Sequence, residues 1–479
     1  MPKRSLHSTK RCVFIAAFFV LLGSAAALAA EKPEVRDAAL APTNSPESAR
    51  DPLATVVDLK DTKKPPVIEQ PAEANATELP RTALKPPARG TESKPTFAPS
   101  EPRSFKELAA LPDEQFDLAE AVLALGAEDG FSLSTSAMET LQRLDVLAAR
   151  AKTQLPDNPE LTDYFDALYD VVLIRKPCEA AHDERPDDFD LSRAVFQHRG
   201  TCMSIGISAL AVARRMGAPI NGAQCPGHFF LRGTGAHNSK GQEIALNFDV
   251  TRPTPENWAK IDDDFYRKWR HFDAKAEASS EYLHPMTDKQ VISAFLSSRS
   301  GYLAREKNFE AALADAQRAL ALNAKNIYAL INSGYAHESL KQLDEAEDDY
   351  KHALEIDPHC ARAMNNLAFV KIRDKHSKIY DIKRAEKYID QALKIDPDQA
   401  YLYATKGEVC AARGDYKDAT LSLLTACSLA PKNSAYRERF MALREHSRRE
   451  ISGDPIDKQS ASIPKRDKSG DNRSGKEQP

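Results

Sequence analysis

The sequence predicts an α+β domain followed by an all-α solenoid of helix pairs, with an unfolded stretch ahead of both. Three observations carry this reading. Between residues 104 and about 285, helix-period patterns come first and short strand-like runs come last, which is the order of an α+β domain. Beyond residue 288, small residues recur 34 positions apart, a period that marks stacked supersecondary units. And 479 residues exceed what a single hydrophobic core organises.

Composition excludes some partners before any motif is read. With 66 Lys and Arg against 70 Asp and Glu, the net charge of -4 gives no electrostatic footprint for nucleic acid or for an anionic membrane. The seven cysteines, Cys12, Cys178, Cys202, Cys225, Cys360, Cys410 and Cys427, are too few and too scattered for a small disulfide scaffold.

Residues 1–30 have the layout of a secretory signal. Lys3, Arg4, Lys10 and Arg11 form a basic start, an apolar core runs over 13–22, and Ala27-Leu28-Ala29 supplies an A-x-A cleavage site. The charge-free stretch 12–30 is also just long enough to remain as a membrane anchor. The expected location is therefore periplasmic or extracellular, with membrane contact only if this segment is not cleaved. Residues 31–103 hold thirteen of the thirty prolines and one aromatic, Phe97, so they cannot bury enough apolar area to fold and read as a disordered linker.

The first folded domain spans 104–288. Three helices are expected at 114–125, 137–155 and 158–174, the second opened by Ser136 with Glu139 completing a capping box. Residues 178–190 are polar and read as a surface loop. A short helix over 191–198 is expected to stop at Gly200. Thr201 then caps a helix over 202–216, apolar around most of its circumference and hence central, with Gly217 as its stop. Strand-like runs follow around Ala223, at 227–232 and at 243–250.

The repeats lie at 289–433. Asp344-Glu345-Ala346, Tyr350, Ala353-Leu354 and Pro358 find counterparts upstream at Ala312, Ala316, Ala319-Leu320 and Ala324, and downstream at Ala385, Ile389, Ala392-Leu393, Pro397 and at Ala419, Leu423, Ala426-Cys427, Pro431. The pattern resembles the tetratricopeptide repeat, as four helix pairs, although the motif's early Trp is missing from each unit. The third carries a five-residue insertion near 374–381. The resemblance implies a groove that takes a protein or peptide. Residues 434–451 read as a charged capping helix and 452–479 as a disordered tail. Cys360, Cys410 and Cys427 fall at helix-packing positions, and His352 and His359 on the surface.

Chemistry concentrates at 200–249. Cys202 falls in the first turn of its helix, where unpaired N–H groups favour a thiolate. His228 follows the Pro226-Gly227 turn, and Asp249 sits at the end of the next apolar segment. Thiol, imidazole and carboxylate are the parts of an activated nucleophile. Alternation raises an obstacle: if Phe230 and Phe248 both point inward, His228 shares the face of Phe230 while Asp249 lies opposite that of Phe248, and a twist, bulge or offset would be needed to join them.

Gly200-Thr201-Cys202, the helix ending Ala213-Arg214-Arg215-Met216-Gly217, and Pro226-Gly227-His228-Phe229-Phe230-Leu231-Arg232 together resemble the bacterial branch of the transglutaminase-like superfamily. That resemblance covers roughly 141–249 and implies a papain-like α+β fold. It implies Cys202 as nucleophile, His228 as base and Asp249 as the group orienting the imidazole, for acyl transfer from an amide to water or an amine, with no cofactor. The Cys202 backbone N–H, helped by the Gln197 side chain, is the expected oxyanion donor. Relatives in this branch often carry another residue, such as Pro, in place of the cysteine, so the fold persists without the chemistry.

Plainer readings stand beside these. Cys202 suits a buried helix position, and Asp249 could cap the turn toward Pro253. Cys225-x-x-His228 is a single, weak ligand pair, so no metal is expected. A Cys202–Cys225 disulfide would silence the thiol. Trp258 and Trp269, with Tyr266 among Asp262, Asp263 and Asp264, read as packing against the domain, with the lining of a substrate groove as the alternative. Two functions follow: an exported thiol hydrolase or acyltransferase whose repeats hold a protein, or an inactive adaptor that binds through its repeats alone.

Overall fold

The computed structural model describes residues 103–130, 136–172, 179–180, 185–237, 243–251, 261–270, 272, 277 and 281–452. The leader, the linker, the tail beyond 452, Cys178, His182 and Trp258 lie outside the described residues.

Four helices lead into the domain: α1 (Phe105–Ala109), α2 (Leu118–Glu128), α3 (Ala137–Lys152) and α4 (Leu161–Val172). Helix α1 was not expected; Ser104 opens it with a reciprocal capping box to Glu107. The helix expected from 114 instead begins after Asp117, whose Oδ1 accepts from the N–H of Ala119 and Glu120 and so fixes the start. Ser136 and Glu139 form the predicted box at α3.

Residues 185–190 are not the surface loop the polar composition suggests. Pro186–Phe189 is a 3-10 turn in which Asp188 and Phe189 are buried, the Phe189 ring lying 5.9 Å from that of Phe295. β1 (Glu179–Ala180) pairs in parallel with β2 (Arg199–Gly200). Between them, α5 (Leu191–Gln197) ends at His198, which takes up φ 53, so the stop falls at this left-handed residue and not at Gly200. Gly200 serves another purpose: a Cβ there would sit 2.3 Å from Ser204 Oγ.

Helix α6 (Cys202–Met216) is the centre of the domain. Thr201 and Ser204 cap it reciprocally, Ser204 Oγ also donates to the Asp188 carbonyl at 2.7 Å, and Gly217 closes it at φ 73. An antiparallel sheet follows, in the order β3 (Ile220–Cys225), β4 (His228–His237), β5 (Glu243–Phe248). Pro226 and Gly227 make the β3–β4 turn; the proline ring holds φ near about −65°, and Gly227 supplies the positive φ of 67 that a type II turn requires next.

Both sheet faces are covered. Phe229, Leu231 and Phe248 face the helical core, where Phe248 stacks on Phe165 at 5.2 Å. Ala223, Cys225 and Phe230 face the other way, under helix α7 (Asp263–Arg270), with Phe230 stacked on Tyr266 at 4.1 Å.

Four antiparallel helix pairs complete the chain: α8 (Asp288–Arg305) with α9 (Phe309–Leu322), α10 (Ile327–Ser339) with α11 (Leu343–Ile356), α12 (Ala361–Arg373) with α13 (Ile382–Ile395), and α14 (Ala400–Arg413) with α15 (Tyr416–Leu429). Helix α16 (Ser434–Ser452) packs on the last pair. The longer link 374–381 lies within the third pair, where the insertion was expected. Of the three repeat cysteines only Cys410 is buried; Cys360 and Cys427 are partly exposed and pack against the margins of their clusters.

The domain and the repeats share one core. Val291, Ile292, Phe295 and Leu296 of α8 pack in the same cluster as α2, α4 and α6. Arg299, buried on α8, reaches Asp315 on α9 at 2.6 Å and Asp129 at the end of α2 at 2.5 Å. Asp315→Leu removes the buried partner that meets that guanidinium through two hydrogen bonds, leaves it with Asp129, and should cost about 3 kcal/mol, whereas the double change Arg299→Met/Asp315→Leu should recover most of it. Urea unfolding of both variants checks this.

Candidate active site

Three elements deliver three side chains to one point. The α6 cap places Cys202 at the helix start, partly exposed and packed against the main core. The Pro226-Gly227 turn places His228 at the first position of β4, opposite Cys225. Asp249 lies one residue beyond β5, 1 % exposed.

The strand register removes the obstacle raised by alternation. Leu231 pairs with Phe248, so the next step sets Asp249 opposite Phe230 and diagonal to His228, on the same face. Phe230 and Phe248 point to opposite faces, so the condition that raised the obstacle, both turning inward, does not hold: this sheet buries both sides. No bulge is needed here; the irregularity in β4 lies farther along, between Gly233 and Ala236.

His228 Nε2 and Asp249 Oδ2 are 2.9 Å apart. The other carboxylate oxygen, Oδ1, accepts from the Thr251 N–H at 2.9 Å and from the Thr251 hydroxyl at 2.7 Å. Asp249 therefore both caps its turn and meets the imidazole. With Nε2 taken, Nδ1 is left to hydrogen-bond the Cys202 thiol, which also accepts from the Phe229 N–H. Both sides of the imidazole are thus met by protein groups, Asp249 on one and Cys202 on the other. Cys202 and Cys225 are both free thiols.

The electrostatics follow from that geometry. Burial pushes the Cys202 thiol up, but the hydrogen bond and charge of His228 and the Phe229 N–H outweigh it and hold the thiol below its ordinary range. Burial disfavours the charged imidazole, yet the Asp249 carboxylate overrides this and raises His228 to about 9. Asp249, also opposed by burial, is held down to about 2 by His228 and Thr251. Cys225 differs: burial pushes its thiol well above the usual range.

Helix α7 roofs the site. The Trp269 ring meets His228 edge-on at 5.1 Å, and Arg270 lies over the Trp269 ring at 3.8 Å while donating to the Gly227 carbonyl at 3.3 Å. The helix is pinned to the sheet by Asp263, which accepts from Arg232 at 2.6 Å and from Asn247 at 3.1 Å. Sequence reading favoured packing for Trp269 over the lining of a groove and did not place it on the imidazole; the spacing of Phe265, Tyr266 and Trp269 along an otherwise charged helix was the available signal. Gln197 is exposed at the end of α5, and among the described residues no hydrogen bond fixes its side chain.

Residues 138–297 match the family model described as the transglutaminase-like superfamily, and residues 327–360 match that of the tetratricopeptide repeat. The chain carries a transglutaminase-like domain followed by a tetratricopeptide repeat. Among curated proteins, it is 27 % identical over 146 residues to a DnaJ homolog subfamily C member 7 homolog of Schizosaccharomyces pombe, covering 30 % of this chain and 31 % of that one. It is 24 % identical over 260 residues to a UPF0162 protein of Xylella fastidiosa, covering 53 % and 89 %. The chain thus spans about a third of the first relative (31 %) and most of the second (89 %). Among solved structures, a thermophilic tetratricopeptide-repeat protein of Thermus thermophilus is 17 % identical, with 32 % of this chain and 80 % of that chain covered and a TM-score of 0.29. A tetratricopeptide repeat protein from Parabacteroides merdae is 19 % identical, with 33 % and 60 % covered and a TM-score of 0.29.

Within the transglutaminase-like domain, Gly206 lets the Phe229 ring rest on α6, since a Cβ there would lie 2.5 Å from that ring. Gly206→Ala should displace Phe229 and with it the N–H that holds the thiol, costing about 1–3 kcal/mol by overpacking. Thermal unfolding checks the stability, and iodoacetamide alkylation of Cys202 should shift to higher pH.

Asp249→Asn tests the charge coupling. Removing the carboxylate lets His228 lose its proton at neutral pH, and the thiolate then lacks its cation. The direct repulsion of the thiolate by Asp249 also disappears, but that is the weakest of the influences on the thiol. The alkylation midpoint should therefore move up toward the ~8.5 of a free thiol.

Proposed function

We propose that this protein is an exported transglutaminase-like cysteine hydrolase or acyltransferase, acting on amide bonds of a protein or peptide that its repeats help to hold. The observation that carries the reading is Cys202 at a helix start beside an imidazole steadied at 2.9 Å by a buried carboxylate. The leader-like composition of residues 1–30 supports export.

In the proposed reaction the Cys202 thiolate attacks the amide carbonyl carbon, and the carbonyl π electrons move onto oxygen. The resulting oxyanion meets the Cys202 backbone N–H, which as a first-turn donor has no partner within the helix, with Gln197 as the proposed second donor. As the tetrahedral adduct collapses, the C–N bond breaks and His228 gives its proton to the departing amine, leaving a thioester. Water or a second amine then attacks, His228 takes its proton, and the thiolate leaves. Asp249 keeps the ring oriented and favours its charged form throughout. Water yields hydrolysis; an amine yields a crosslink.

Cys202→Ala should abolish release of amines from a panel of peptide and protein amides, and incorporation of a labelled amine, while leaving the fold intact by circular dichroism. Equal activity in wild type and mutant would remove the catalytic reading and leave a binding scaffold. The pH profile has a predicted shape: the rising limb of kcat/KM, set by the depressed thiol, should lie below that of a free thiol, and the falling limb should come at about 9 as His228 deprotonates.

A further inference from the structure

Arg270 is the last residue of α7, and three of its contacts fall on neighbours of His228. Its Nη2 donates to the Gly227 carbonyl at 3.3 Å, and that carbonyl belongs to the peptide unit whose nitrogen is that of His228. It also hydrogen-bonds the thiol of Cys225, the cross-strand partner of His228. Its guanidinium lies 3.8 Å over the Trp269 ring, which in turn meets the imidazole edge-on at 5.1 Å. A flat guanidinium can stack on a ring and donate in its own plane at the same time, which a lysine ammonium cannot.

The rest of α7 is held without Arg270. Asp263 ties the first turn to Arg232 and Asn247, at 2.6 and 3.1 Å, and the buried Tyr266 ring stacks on Phe230. The Phe272 N–H donates to the Arg267 carbonyl at 3.2 Å and closes the helix end through the backbone. Arg267, on the same helix, pairs with the carboxylates of Asp264 and Glu277. What Arg270 adds is therefore local: it fixes the Trp269 ring and the turn that delivers the imidazole.

We propose that Arg270 is a positioning residue for His228: by clasping the end of α7 to the Pro226-Gly227 turn, it keeps Trp269 on the imidazole and water out of the His228–Asp249 pair. This rests on the thiol reading of the site, but not on turnover. The titratable and charged groups around the imidazole are the Cys202 thiol of α6, the Cys225 thiol of β3, Asp249 past β5, and Tyr266 and Arg270 of α7. Burial opposes the charge on the ring, and Asp249 and Cys202 together more than offset it, so the proton is held up to about 9. Water admitted past Trp269 weakens both influences, and the ring falls back toward its ordinary value of about 6.5. Loss of the Arg270 charge alone acts the other way, since removing one cation makes a neighbouring cation easier to form. The two effects differ in sign, which makes the clasp testable.

Full-length wild type and variants are treated with iodoacetate across the pH range, and carboxymethylation of Cys202 is followed by mass spectrometry of its peptide. The reagent is an anion, so reaction is favoured while the imidazolium stands beside the thiolate and slows as the ring deprotonates. In wild type the falling limb is expected at about 9. Arg270→Met should bring it down by about one pH unit, making the reaction about fivefold slower at a pH of about 9. Trp269→Ala should do the same, the double variant no more than either, and Arg270→Lys about half as much. Arg267→Met, which removes the same charge from the same helix, should leave the limb where it is. Should Arg270→Met fail to fold, Arg270→Lys carries the test, because it keeps the charge and loses the stack.

A limb that stays or rises in the Arg270 variants, a double variant whose shift is the sum of the two, or an equal fall in Arg267→Met overturns the proposal. A wild type without a falling limb overturns it together with the thiol reading. A limb that moves as expected beside an amide panel left untouched by the wild type keeps the clasp and discards the enzyme. Turnover that depends on Cys202 beside an unmoved limb does the reverse.

Discussion

Much of this domain depends on the pairing of Leu231 with Phe248. A shift of one residue between β4 and β5 would carry Asp249 to the far face of the sheet and leave a buried carboxylate among apolar side chains. The register is held from both sides: Phe248 is wedged on Phe165 in the helical core, and Arg232 and Asn247, paired across the same strands, are tied to Asp263. Apolar packing on one face and charge-assisted hydrogen bonds on the other therefore enforce the same alignment.

That alignment is what makes a buried charge tolerable. Asp249 is almost wholly out of water, and an unpaired carboxylate there would be strongly destabilising. It is offset by three hydrogen bonds, one from the imidazole and two from Thr251. The aromatic roof of Tyr266 and Trp269 keeps the dielectric low, which strengthens the attraction between imidazolium and carboxylate. The same dryness raises the thiol of Cys225, so two cysteines near one histidine are shifted in opposite directions.

Local signals were legible in the sequence and relational ones were not. The limits of α6 could be read because Thr201 and Gly217 act on the backbone within a turn of themselves. The repeat pattern could be read because small residues recur where helices must approach closely. What failed was the orientation of a two-faced sheet: alternation says which residues share a face, not which faces are covered. Residues 185–190 misled for a related reason, since their acidic composition hides Phe189, which is buried against α8 more than a hundred positions along the chain. His198 gave no sign that it would occupy a left-handed conformation usually left to glycine or asparagine.

The core that runs unbroken from α2 through α6 into α8 has a mechanical consequence. A solenoid is a spring whose turns can open or tighten as cargo comes and goes. Here its first coil is welded into the core that backs helix α6, through Phe295 and the Arg299 network. Flexing of the spring is thereby transmitted to the transglutaminase-like domain as strain rather than absorbed at a hinge between them.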